Sequence, residues 1–128
     1  MSEAADRARI VADGTMATIE YAVRSNGSMA AKEFIATLTE TDQRRLAVLF
    51  KRLADIGRIM NREQFKRVEG PIWEFKRHQV RVACFQIGKR WLLTHGFRKK
   101  GDHWKPSELD RATRIMNEHL EREKRTSR

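Results

Sequence analysis

Between Ile72 and Phe97 the chain reads as three successive strand-like runs separated by short turn signals. In Ile72–Lys76, Trp73 and Phe75 fall on one face and Glu74 and Lys76 on the other, the period of two that a pleated strand imposes. Gln79–Ile87 is rich in Val and Phe, Gly88-Lys89 supplies a two-residue turn, and Arg90–Phe97 forms the next run. Consecutive hairpins of this kind must bury a sheet face, so the flanking segments have to provide its cover.

Those segments are mostly helical in pattern. An earlier alternation, Thr18–Arg24, puts Ile19, Tyr21 and Val23 on one face, and Ser25-Asn26-Gly27-Ser28 is a turn cluster. Met29–Leu38 reads as a short helix. Thr39-Glu40-Thr41-Asp42 has the form of a helix start, and the helix it opens runs to about Ile56, with Gly57 suited to its left-handed end. Leu46, Leu49, Phe50, Leu53 and Ile56 make its packing stripe; Arg44, Arg45, Lys51 and Arg52 lie largely off it. After the polar loop Arg98–Lys105, Pro106 opens a last helix with Leu109, Ala112, Met116 and Leu120 as its apolar stripe. The order β-α-α-β-β-β-α implies an α+β domain, with an N-terminal helical hairpin and a C-terminal helix gathered on one side of an antiparallel-rich sheet. Residues 1–15 are expected to be a flexible arm or extension, residues 16–121 the domain, and residues 122–128 a basic tail; Glu121–Arg128, with no apolar anchor beyond Leu120, is expected to fray.

A length of 128 residues fits one domain. The single Cys84 excludes an internal disulfide and a thiolate metal site, and Cys84 is expected to be a buried apolar filler. No apolar run approaches the ~20 residues of a membrane helix and no signal peptide opens the chain, so the cytoplasm is the expected location. The net charge is +10 and it is unevenly placed: residues 1–61 hold 9 basic and 8 acidic side chains, residues 62–128 hold 18 and 9. Such a balance points to a polyanionic partner, which could be nucleic acid, an acidic protein or an anionic surface.

Four motifs in order then carry a family resemblance. They are Ile72-Trp73-Glu74-Phe75-Lys76, Val80-Arg81-Val82, Leu92-Leu93-Thr94-His95-Gly96-Phe97-Arg98-Lys99-Lys100, and Pro106-x-Glu108-Leu109-x-x-Ala112. Together they resemble the RelE/ParE toxin superfamily, in its phage-derived HigB-like branch. The chain departs from that pattern in the compressed Lys76–Arg81 link, in the five residues Gly101–Lys105 before Pro106, and in Ala83-Cys84-Phe85. The resemblance implies a RelE-like domain and the toxin component of a type II toxin–antitoxin system. It implies a ribosome-dependent endoribonuclease that cuts mRNA, needs no cofactor, and is silenced by a helix-turn-helix antitoxin. The same superfamily also implies an alternative, a ParE-like toxin that binds DNA gyrase and cuts nothing; a phage-derived nucleic-acid-binding module is a third reading.

Metal-free RNA cleavage uses the 2′-hydroxyl as nucleophile, so it needs cations around the phosphate and groups that exchange protons. Arg81, inside an apolar strand, is the first choice for a phosphate fork; otherwise it is a surface-face arginine. Arg98, Lys99 and Lys100 leave a strand end as a basic cluster, with Lys99 placed in the catalytic set. His103 stands beside Trp104, a pairing suited to base stacking next to proton transfer. His95 shares strand parity with Leu93 and either enters the groove or packs as a core histidine. Arg77, His78 and Lys105 complete the expected RNA contacts, and Glu74 is expected to pair with Arg77, Arg81 or another basic side chain and hold it in place. His119 is read as surface, Trp73, Trp91 and Phe75 as core, and Trp104 as having little to pack against. No histidine pair has metal-ligand spacing, so no metal is expected.

Overall fold

The computed structural model describes residues 7–101 and 103–126. Among the described residues six strands form one sheet: β1 (Ile10–Asp13), β2 (Thr18–Tyr21), β3 (Phe65–Glu69), β4 (Ile72–Arg77), β5 (Val80–Ile87) and β6 (Arg90–Arg98). The helices are α1 (Ala30–Ile35), α2 (Glu40–Ile56) and α3 (Pro106–Thr126). The strand order is β1-β2-β6-β5-β4-β3, antiparallel throughout except for the parallel β2–β6 pair, where the chain returns after α1, α2 and three strands. The domain is thus α+β, and no helix among the described residues is long and apolar enough to cross a membrane.

Local chemistry explains the clearest boundaries. The Thr39 side chain accepts from the Asp42 N–H at 3.1 Å, which caps α2, and Gly57 ends the helix at φ 86° with its N–H on Leu53 O. Gly88, at φ 57°, makes the two-residue β5–β6 turn. The edge strands β1 and β3 are additions to the expected order; both are short and gain their conformation from pairing with β2 and β4.

The helices do not gather on one side. Leu46, Leu49, Phe50 and Leu53 of α2 pack on Ile19, Phe65, Phe75, Val82 and Leu93, while Ala112 and Ile115 of α3 pack on Ile72, Ala83, Phe85 and Leu92. The sheet is therefore covered on both faces, which is why β5 reads as a nearly continuous apolar run buried over Val80–Phe85. Phe34 of α1 lies so close over Gly96 that a Cβ there would stand 2.1 Å from its ring. Cys84 is buried, and burial pushes its thiol well up.

The stripe of α3 is rotated from the expected one. Ala112, Ile115 and His119 face inward, and Leu120 is exposed. His119 is a core residue rather than a surface one. The Val23 N–H donates to its Nδ1 at 2.9 Å, and its Nε2 lies 2.7 Å from Glu123. Arg90 then joins Glu123 to Glu20 by paired hydrogen bonds of 2.5–3.0 Å. These bonds hold the Glu123 carboxyl down to about 2 and tie the last turns of α3, which runs to Thr126, to β2 and β6. The helix end is anchored by charge, not by an apolar contact.

A bulge decides the position of His95. Ala83 pairs with His95 but Cys84 pairs with Leu93, so Thr94 is the extra residue on β6. The extra residue moves His95 off the face of Leu93 and onto the α3 side, where it is 1% exposed, stacks 5.4 Å from Phe97 and lies 3.3 Å from Glu108. Burial, with Arg111 and Arg24 nearby, pushes its imidazole down to about 3.

His95 and His119 are both held neutral in the fold but titrate near ~6.5 when unfolded. On acidification the unfolded chain takes up these protons first, so stability present above about pH 6.5 falls as pH drops toward 3. Urea unfolding at successive pH values will show this loss beginning above the carboxylate range, and His95→Gln will flatten it; an identical slope in the variant contradicts the assignment.

Candidate RNA-cleavage site

The β4–β5 hairpin and the end of β6 bring most of the chain's clustered cations to one end of the sheet. Strand register places Lys66, Glu74, Ala83 and His95 in one row across β3–β6, and Lys76, Arg81 and Phe97 in the next. All these side chains share the α3 face of the sheet, so Lys66, Lys76 and Arg81 surround one carboxylate, Glu74. Lys66 Nζ lies 4.0 Å from Glu74 Oε2. Burial lowers the ammonium pKa of Lys76, and repulsion from Lys66 and Arg81 lowers it further.

Arg81 is 7% exposed and already engaged. Its Nη1 donates to the carbonyls of His78 at 2.6 Å and Val80 at 2.9 Å, so it closes the hairpin tip, where His78 stands at φ 53°. Its Nε lies 3.0 Å from Glu74 Oε1 but off the hydrogen-bonding direction, which makes the attraction ionic. Glu74 is 1% exposed and also accepts from the Trp104 indole N–H at 3.2 Å. Trp104 is therefore not idle in a polar loop: it stands edge-on to Phe97 at 4.8 Å and covers the Glu74–Arg81 pair. The β6 end is tied to the same tip, because the Lys99 N–H donates to Gln79 O at 2.7 Å.

The structure sorts the expected site residues into three places. Arg81, Glu74, His95 and the inner edge of Trp104 belong to the packed interior. Arg98, Lys99, Lys100, His103 and Lys105 line a small cavity of about 80 Å³ with Phe97 and Glu108. Arg77 and His78 line a different cavity, and Arg77 is paired there with Asp42 at 3.0 Å. The aromatic set of Trp73, Trp91 and Phe75 is core, with Phe65 stacked 5.1 Å from Trp73. Two cations of the cluster, Lys66 and Lys76, are not among the expected contacts. The alternation of β4 already places Lys76 beside Glu74, but Lys66 needs the β3–β4 pairing. Among the described residues, no three of His, Cys, Asp and Glu converge as metal ligands.

The arrangement can hold a phosphodiester by several cations at once and offers exchangeable protons at Lys76, His78 and His103. It also makes Arg81 structural. Removing it leaves a buried carboxylate with too little compensation, so Arg81→Ala is expected to cost about 3–5 kcal/mol in chemical unfolding. The double variant Glu74→Leu/Arg81→Met should recover most of that loss; no recovery would show that the pair is not what Arg81 serves.

Residues 33–117 match the family described as Phage derived protein Gp49-like (DUF891). No curated protein matches the chain. The matched span holds α2, the β3–β6 sheet, the cationic strand ends and most of α3, and it covers well over half of the sequence. The chain belongs to the phage-derived Gp49-like family, a family of RelE/HigB-like toxin type.

Proposed function

We propose that the protein is the toxin of a type II toxin–antitoxin pair and cuts mRNA on the ribosome without a metal. Its partners would be ribosome-bound mRNA and a cognate helix-turn-helix antitoxin, and it would act in the cytoplasm. The observation that supports this reading best is the convergence of Lys66, Lys76, Arg81 and Lys99 near a single buried carboxylate at an open sheet end. Nothing in DNA answers to that chemistry, because the nucleophile is the 2′-hydroxyl.

In the proposed reaction the 2′-oxygen attacks the adjacent phosphorus and loses its proton. The 5′-oxygen leaves with a proton, giving a 2′,3′-cyclic phosphate and a 5′-hydroxyl. Lys99, with Arg98 and Lys100 beside it, would offset the charge on the pentacovalent phosphate. Lys76, whose proton is loosened by its cationic neighbours, would exchange protons, with His103 as the exposed imidazole on the other side. Trp104 would offer its outer face to a base, and Lys105, Arg77 and His78 would hold flanking nucleotides. Arg81 fixes the hairpin tip and contributes its charge from behind. His95, neutral and enclosed, takes no part.

Purified protein added to a translating extract should create new mRNA 5′ ends that require ongoing translation. Lys76→Ala should reduce them by about 10²-fold or more. It should not lower the unfolding midpoint, because it removes a repelled charge. Intact mRNA in the presence of folded protein would instead favour a toxin that binds its target and cuts nothing.

A further inference from the structure

A cavity of about 340 Å³ lies between α2 and the hairpin tip, and its lining shares no residue with the smaller cavity at His103. Arg45 and Arg52 enter it from α2, seven residues and so about two turns apart on one flank of the helix. Lys76, Arg77 and His78 line it from the hairpin, and among the described residues Glu63 is the one carboxylate in the lining. Two of the guanidinium groups are oriented by neighbours. Arg52 Nη1 donates to Gln64 Oε1 at 3.2 Å, and Arg77 Nε to Asp42 Oδ1 at 3.0 Å. Gln64 orients Arg52 without neutralising it. Among the described residues the apolar part of the lining is Val48 and the buried Leu49, too little to anchor an amphipathic peptide.

We propose that this groove is a second phosphate-backbone site, which holds RNA flanking the segment at the cationic sheet end. The inference deepens the RNA reading given above and rests on it for the identity of the polymer. Lys76 links the two places through the hairpin backbone: its N–H donates to Gln64 O at 2.8 Å at the groove, while its side chain stands in the Arg81 row on the other face of the sheet. A strand that crosses the hairpin tip therefore seats one phosphate beside Lys76 and Lys99 and a flanking one between Arg45, Arg52 and Arg77. Planar forks suit that contact because each can bond two phosphate oxygens together.

The test uses the full chain and a fluorescent single-stranded RNA carrying 2′-O-methyl groups, which binds but cannot be cut. Anisotropy titrations over a range of salt give the slope of log K against log salt. Arg45→Ala/Arg52→Ala should weaken binding about tenfold at low salt and make the slope shallower by about 1.4, at ~0.7 per lost contact. Arg45→Lys/Arg52→Lys should keep the slope and still lose affinity, because charge remains but the forks do not. Both arginines are exposed, so thermal unfolding should be unchanged in either variant. An unchanged slope in the alanine variant overturns the proposal. So does poly-glutamate bound with the same affinity and the same loss, which would give the groove to an acidic protein. Cutting in a translating extract is read separately: groove-dependent binding without cutting supports this site and overturns the nuclease reading alone, and cutting with an unchanged slope does the reverse.

Discussion

The pairing of Glu74 with Arg81 inside the sheet governs the end of the molecule that carries its charge. Two ions at 1% and 7% exposure are costly to desolvate, and the cost is offset only because each has further partners. Arg81 donates from Nη1 to two hairpin carbonyls, and Glu74 takes the Trp104 indole and faces Lys66. The hairpin tip, the loop before α3 and the end of β6 are thereby set relative to one another. Lys76 and Lys99 are held close to other cations, a placement that would be unfavourable if the segment were free to relax.

The opposite end is governed by a second charged cluster. Glu20, Arg90, Glu123 and His119 tie β2 and β6 to α3, while Glu118 holds Arg24 by two hydrogen bonds that keep its own carboxyl at about 2. Carboxylates are thus consumed inside the structure, at Glu74 and along α3, and the lysines and arginines of the hairpin and of β6 are left to dominate the field outside. That division explains how a chain with 17 acidic residues presents a strongly cationic sheet end.

What could be read in the sequence follows the range of the interactions. The start and stop of α2 and the Gly88-Lys89 turn depend on neighbours within a few residues, and they stand where the sequence puts them. The edge strands β1 and β3 lack an apolar alternation of their own and exist because a longer strand lies beside them. Strand parity assigns His95 to the face of Leu93, but one bulge residue, Thr94, reverses it. The inward stripe of α3 includes a histidine, so apolar spacing alone points to Leu120 and not to His119. The site divides in the same way. Its charge is legible in residues 62–105, which hold 12 basic and 4 acidic side chains. The burial of Arg81 and the recruitment of Lys66, Arg45 and Arg52 depend on pairing and packing that no local pattern encodes.

Whether the neighbouring 2′-oxygen is the nucleophile in the proposed cleavage at this sheet end is tested most directly by the chemistry of the cut ends. Fragments made by the wild-type protein on translating ribosomes would be recovered and their 3′ termini identified by mass. The account predicts 2′,3′-cyclic phosphate or its 3′-phosphate product on the upstream fragment and a 5′-hydroxyl on the downstream one. Fragments ending in 3′-hydroxyl and 5′-phosphate would mean that water, not the neighbouring 2′-oxygen, attacks the phosphorus, and would contradict it.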